Sequence, residues 1–228
     1  MTFDPDDPST WGGFQPTLIA HDVGRSRDRS TAVVGGLHPY APGRVGITEH
    51  EELPQGLFGS QRASALAAVD RRHNCNALII ADLSNDESYA EPLFKTFGQR
   101  VIGVHITRYG DGQQVEERPV GGGRILVYTV SRNYLLQHLQ AEMQSHRVRL
   151  IDGEASRRAF AQLADLEIEL RDSGVVYTCP PGQHDDLAMS VAMLVWAARH
   201  PHLLQVWVKA VYPRRWPKKD KFGWGAFV

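Results

Sequence analysis

The chain of 228 residues is poor in cysteine, carries no excess of either charge and has no long apolar run. Its two cysteines, Cys75 and Cys179, lie far apart without CxxC spacing. That excludes a disulfide framework and a cysteine zinc site, and predicts two plain buried thiols in a reducing cytoplasm. The 25 Lys plus Arg nearly cancel the 26 Asp plus Glu. No global positive field therefore draws in nucleic acid, and any such attraction has to come from local clusters. No stretch approaches the roughly 18 apolar residues of a membrane span. The start MTFDPDDPST is acidic and proline-containing where a signal peptide would be basic, then apolar. A soluble cytoplasmic protein with no membrane partner is expected. There is no GxSxG, and neither cysteine sits in a reactive motif, so covalent Ser or Cys catalysis has no support. Gly121 to Gly123 lacks the helix-opening pattern of a dinucleotide site.

What is present reads as one α/β domain, long enough to bury a core. Residues 1–15, with Pro5, Pro8, Gly12 and Gly13 among acids, form a loose lead-in; 16–205 form the domain; 206–228 form a basic and aromatic tail. Thr17 to Ala20, Ser30 to Leu37 and Arg44 to His50 read as a three-stranded meander. Leu57 to His73 is helical, Ala77 to Ala81 a strand, and Glu87 to Phe97 a helix with Asn85 or Asp86 as cap. Arg100 to Ile106 is a strand. Tyr109 to Gly123 is polar and glycine-rich, either a mobile loop or an excursion hairpin. Ser131 caps a helix to Ser145, Val148 to Ile151 is a short apolar run, and Glu154 to Leu170 is helical. Val175 to Thr178 is the last strand, and Asp185 to Arg199 an apolar helix. Three strands followed by alternating helices and strands predict a mixed sheet with an antiparallel meander at one side and helices on both faces.

Three acidic clusters fall at element edges. Asp22 and Asp82 close the apolar runs Leu18-Ile19-Ala20 and Leu78-Ile79-Ile80-Ala81, which read as strands buried on both faces. Asp185 and Asp186 follow His184 and open the last helix. Carboxylates converging at a sheet edge would hold Mg²⁺ or Mn²⁺ through oxygen, and two such ions roughly 4 Å apart can activate water and stabilise a leaving oxygen in phosphodiester cleavage. Each cluster also has a plain structural reading. Asp28 can close an Asx turn beside Asp22, Leu83-Ser84-Asn85-Asp86 can be a helix start, and Asp185 can be an N-cap. One cap does not need two acids and a histidine, so Asp186 is favoured as ligand, with Asp185 close behind. His184 is either an auxiliary proton carrier or an ordinary loop residue.

Taken in order, Asp22 with Asp28, Asp82, VIGVHIT, VSRNYLLQHLQAEM, GEASRRAFAQLADLEIEL and GQHDDLAMSVAMLVWA resemble the nuclease domain of the large terminase subunit of tailed bacteriophages, over roughly residues 16 to 200. The resemblance implies a ribonuclease H-like fold and a metal-dependent endonuclease that cuts concatemeric viral DNA during packaging. By position it implies Asp22, Asp82 and Asp186 (or Asp185) as metal-binding triad, with Asp28 as accessory acid. It also implies double-stranded DNA, a packaging ATPase, a small terminase subunit and a portal as partners for an otherwise monomeric chain. The chain departs from the pattern in having no GxxxxGK[ST] loop for nucleotide phosphates, so it carries no motor of its own.

Two other readings stand beside this one: a junction-resolving nuclease of the same fold, and an interaction module without catalysis. Basic clusters lie at Arg147 and Arg149, at Arg157-Arg158 and at Arg214-Arg215-Trp216-Pro217-Lys218-Lys219. Arg25, Arg27 and Arg29 flank the proposed site, where they would hold DNA phosphates or simply be solvated. The tail mixes its cations with Trp216, Phe222 and Trp224, suited to tracking a strand or to folding back over the domain.

Overall fold

A computed structural model describes residues 18–24, 30–37, 43–73, 76–108, 113–150, 153–171, 174–180 and 185–211. Its centre is an eight-stranded mixed sheet in the order β6-β7-β5-β4-β1-β2-β3-β8. Strands β1 (Leu18–Asp22), β2 (Thr31–Leu37) and β3 (Val45–Glu52) form the antiparallel meander. β4 (Leu78–Asp82) and β5 (Val101–Thr107) add in parallel beyond β1. β6 (Gln114–Val120) and β7 (Gly123–Ser131) make a hairpin whose inner strand runs parallel to β5, and β8 (Val148–Leu150) closes the other edge beside β3.

The strands are apolar on both sides because both sides are covered. On one face Ile19, Val34, Ile79 and Val127 pack against α1 (Gly59–Arg72) and α2 (Ala90–Phe97). On the other, Leu18, Ala20, Val33, Leu78 and Ile80 join α3 (Arg132–Gln144) and α5 (Asp186–Arg199), with α4 (Glu154–Ala164) alongside. α5 is buried on all sides from Leu187 to Ala198, which is why it reads as apolar without an amphipathic stripe. Burying one such Leu or Val contributes about 1.5–3 kcal/mol, so this helix anchors the domain. Ser131 caps α3 as expected, accepting from the Tyr134 N–H at 3.1 Å. No helix among the described residues is long and apolar enough to cross a membrane.

Of the two readings of the glycine-rich stretch, residues 113–123 take the hairpin: Gly121 and Gly122 have φ of +45° and +93°, the left-handed pair of a tight two-residue turn, and Gly123 already belongs to β7. Two expectations change. The expected helix from Glu154 ends at Ala164. After Asp165, the alternation Leu166-Glu167-Ile168-Glu169-Leu170 has the period of a strand, and β9 (Glu167–Arg171) pairs with β10 (Gly174–Thr178) in a separate two-stranded sheet. The expected helix from Glu87 begins as a 3-10 turn, Glu87–Tyr89, before α2. After α5 the chain breaks at His200 and restarts with Pro201 as α6 (Pro201–Val211). Residues 1–17 and 212–228, the lead-in and most of the tail, lie outside the described residues.

Candidate active site

β1 and β4 run parallel in adjacent places, with His21 opposite Ala81. The next residues out, Asp22 and Asp82, therefore leave the sheet side by side. Side chains alternate along a strand. Leu18 and Ala20 on β1, and Leu78 and Ile80 on β4, belong to the core that contains α5. Two residues further on, Asp22 and Asp82 share that face. α5 brings the third carboxylate to the same edge, because it begins at Asp186. Thr31 ties the helix start to the strands: it is the cross-strand partner of Asp22. Its Oγ1 donates to the Asp186 carbonyl at 3.1 Å and lies 2.7 Å from the Ser190 hydroxyl. With its one proton on that carbonyl, Thr31 accepts from Ser190, a fully buried hydroxyl in an otherwise apolar helix.

Charge reports the same convergence. Burial pushes the Asp22 carboxyl well above the usual range, and Asp82, Asp186 and Asp185 push it further, opposed only by the Val23 N–H. Asp82, 5% exposed, is also raised by burial. The Ser84 N–H and hydroxyl, both donating to Asp82 Oδ1, and the nearby His105 pull it back. This is an Asx turn, so the plain reading of Asp82 and the functional one coexist: one oxygen is held by the turn and Oδ2 has no share in it. Among the described residues no three His, Cys, Asp or Glu are close enough to hold a metal ion as they stand. Burial first, and mutual repulsion of the carboxylates second, raise Asp22.

Asp185 occupies the N-cap position of α5 without a capping hydrogen bond. Its carboxylate is instead ion-paired to Arg132, the first residue of α3, whose guanidinium also donates to the Tyr177 carbonyl. Asp185 is engaged by Arg132, and Asp186 opens the helix behind Thr31. Cys179 is only partly buried, and its thiol is pushed up by burial and then by Asp185, away from thiolate chemistry. Asp28, His184, Arg25, Arg27, Arg29 and Cys75 lie outside the described residues. Thr31, Ser84, Arg132 and Ser190 were missed by the sequence reading. Ser190 did leave a signal, as a lone hydroxyl in the run Leu187 to Trp196 one turn after Asp186.

The large terminase nuclease from thermophilic phage G20c matches this structure with TM-score 0.54 and 18% identity, over 79% of this chain and 81% of that one. With bound cobalt, the same nuclease matches with TM-score 0.57 and 19% identity, over 80% and 81%. The chain has the ribonuclease H-like fold of terminase nucleases. The g2p nuclease domain of bacteriophage SPP1, solved with bound Mn, matches more loosely, with TM-score 0.49 and 11% identity over 82% of this chain and 89% of that one. No protein-family model and no curated protein matches the sequence, and at 18–19% identity the likeness is one of fold.

Proposed function

We propose that the chain is a terminase-type, metal-dependent DNA endonuclease in which Asp22, Asp82 and Asp186 hold two Mg²⁺ or Mn²⁺ ions. The observation that carries this reading is the convergence of Asp22 and Asp82, from neighbouring parallel strands and one sheet face, on the start of α5. An all-carboxylate donor set suits hard divalent cations, and neutralising it would relieve the repulsion that raises Asp22. Bound there, the cations would supply an activated water and charge neutralisation at the leaving oxygen of a phosphodiester.

The chain's own residues orient that chemistry. Ser84 fixes Asp82 by one oxygen, Thr31 and Ser190 hold the start of α5 from which Asp186 reaches the site, and Arg132 holds Asp185 beside it. On sequence grounds Asp28 is the accessory acid, His184 an auxiliary proton carrier, and Arg25, Arg27 and Arg29 hold phosphates flanking the cut. The substrate in this reading is concatemeric viral duplex DNA in the host cytoplasm, cut to leave a 3′ hydroxyl during packaging. A separate ATPase, small subunit and portal deliver it to the monomeric nuclease. Calorimetric titration with Mn²⁺ tests the metal site: saturable binding that is lost in Asp22→Asn is expected, and absence of any binding heat in the wild type, with or without DNA, would sink it.

A further inference from the structure

A cleft of about 740 Å³ opens where β1 and β4 end, on the α1 side of the carboxylates. Its walls are the residues after Asp22 (Val23 and Gly24), those after Asp82 (Ser84 and Asn85), and the turn into α1, including Phe58 and Gly59. Ser84 belongs both to this wall and to the Asp82 carboxylate, to which it donates twice, so this one side chain joins the cleft to the edge where Asp22 and Asp82 end their strands.

Three features describe that occupant. Phe58 is 78% exposed at the cleft, an aromatic face with no core role. Arg62, one turn into α1, is the one cation among the described lining residues; its guanidinium lies over the Tyr89 ring at 5.2 Å, with Asp86 Oδ2 at 3.8 Å from Nη1. Nη2 donates to the Leu57 carbonyl at 3.3 Å, and Nε and Nη1, both buried, have no hydrogen-bond partner among the described residues, so Arg62 acts on the cleft through its charge. The first turn of α1 contains no acid, and the one carboxylate among the described lining residues, Asp86, is the one that faces Arg62. An exposed aromatic, a cation and a rim of hydroxyls and amides are the chemistry of an unpaired nucleotide, with base stacked and phosphate near a positive charge. A base inside a duplex is already stacked on its neighbours and cannot offer its face to Phe58.

We propose that this cleft is a nucleotide subsite, in which Phe58 stacks on an unpaired base next to the scissile phosphate and Arg62 attracts its phosphate. The proposal rests on the nuclease reading for the position of the cut. It gives the enzyme a preference for locally opened strands over intact duplex.

The test uses the full chain carrying Asp82→Asn, which in this account cannot cut, and a single-stranded oligothymidylate with one central 2-aminopurine. Titration is expected to quench the 2-aminopurine as it stacks. Adding Phe58→Ala abolishes the quenching and weakens binding about tenfold, whereas Phe58→Tyr retains both. Equal quenching and affinity in Phe58→Ala, or equal affinity for the fully paired duplex, would overturn the subsite. Because stacking is read without cleavage, a wild type that fails to nick plasmid in Mn²⁺ would count against the nuclease reading alone.

Discussion

Acidification should unfold this protein through His21. The imidazole is fully buried on β1, facing α1, and its Nδ1 lies 2.8 Å from the Thr31 carbonyl. A carbonyl only accepts, so Nδ1 carries the proton and Nε2 is a bare lone pair, buried with no partner among the described residues. Protonating it would place a charge in the core near Arg62, and burial, with Arg62 adding to it, lowers its pKa from 6.5 to about 4. The unfolded chain therefore binds the proton more readily than the folded one. The stability tied to neutral His21 is complete above pH 6.5 and is lost as pH falls through 4. At about 1.4 kcal/mol per unit the loss amounts to about 2 kcal/mol by pH 5 and about 3 kcal/mol by pH 4. That is a sizeable part of the roughly 5–15 kcal/mol that holds a domain together.

His50, also lowered to about 4 by burial, adds in the same direction, while Asp22 works in the opposite one. A difference between variants isolates His21. His21→Asn keeps an N–H for Thr31 and does not titrate. Urea unfolding in chelator from pH 7.5 to 4 should show the wild type losing about 3 kcal/mol more than the variant. Parallel stability curves for the two proteins would refute the assignment of a neutral, buried His21.

Asp22 has its folded pKa raised, so its contribution is fully present below the unfolded value and is lost as pH rises. At pH 7.5 in chelator Asp22→Asn should therefore melt higher than the wild type, by about 2–4 °C for each kcal/mol relieved. Mn²⁺ should raise the wild-type Tm and leave the variant's unchanged; a variant that melts lower in chelator would contradict the crowded-carboxylate account. Arg132→Gln should cost about 1.5–3 kcal/mol in urea unfolding and slow Mn²⁺-dependent nicking, because it leaves Asp185 without its partner. Unchanged stability and rate would remove Arg132 from the site. A Cβ on Gly35, at the bulge between β2 and β3, would stand 2.2 Å from the Gly46 carbonyl oxygen, so Gly35→Ala should destabilise by about 1–3 kcal/mol or more, read as a fall in urea midpoint.

The sheet was legible in the sequence, as was the place of Asp22, Asp82 and Asp186 at element ends, because each follows from a local pattern. Apolar runs of three and four residues leading to Asp22 and Asp82 read as buried strands meeting solvent, and the polar opening before Leu187 reads as a helix start. What the pattern lacked was the partner. Nothing local says that α5 covers the face on which residues 18, 20, 22, 78, 80 and 82 lie, and that fact is what brings three acids together. Arg132 stands 53 residues from Asp185, and Thr31 is 159 from Ser190. Such long-range pairings leave little trace in one sequence. The strand at Glu167 carries a local signal of its own: after the helical stretch to Ala164, the period switches from 3.6 to two. The glycine triplet concealed β7, because two of its members form the turn and the third starts the strand.

Nicking and linearisation of supercoiled plasmid by the purified chain in Mn²⁺, Mg²⁺ or chelator, with Asp82→Asn at matched purity beside it, is the decisive assay for the carboxylate site. The wild type should cut in either metal and not in chelator, and the variant should lose at least about a hundredfold, the equivalent of roughly 2.7 kcal/mol in the barrier. Equal cutting by Asp82→Asn, or no cutting by the wild type in any metal, would contradict that site.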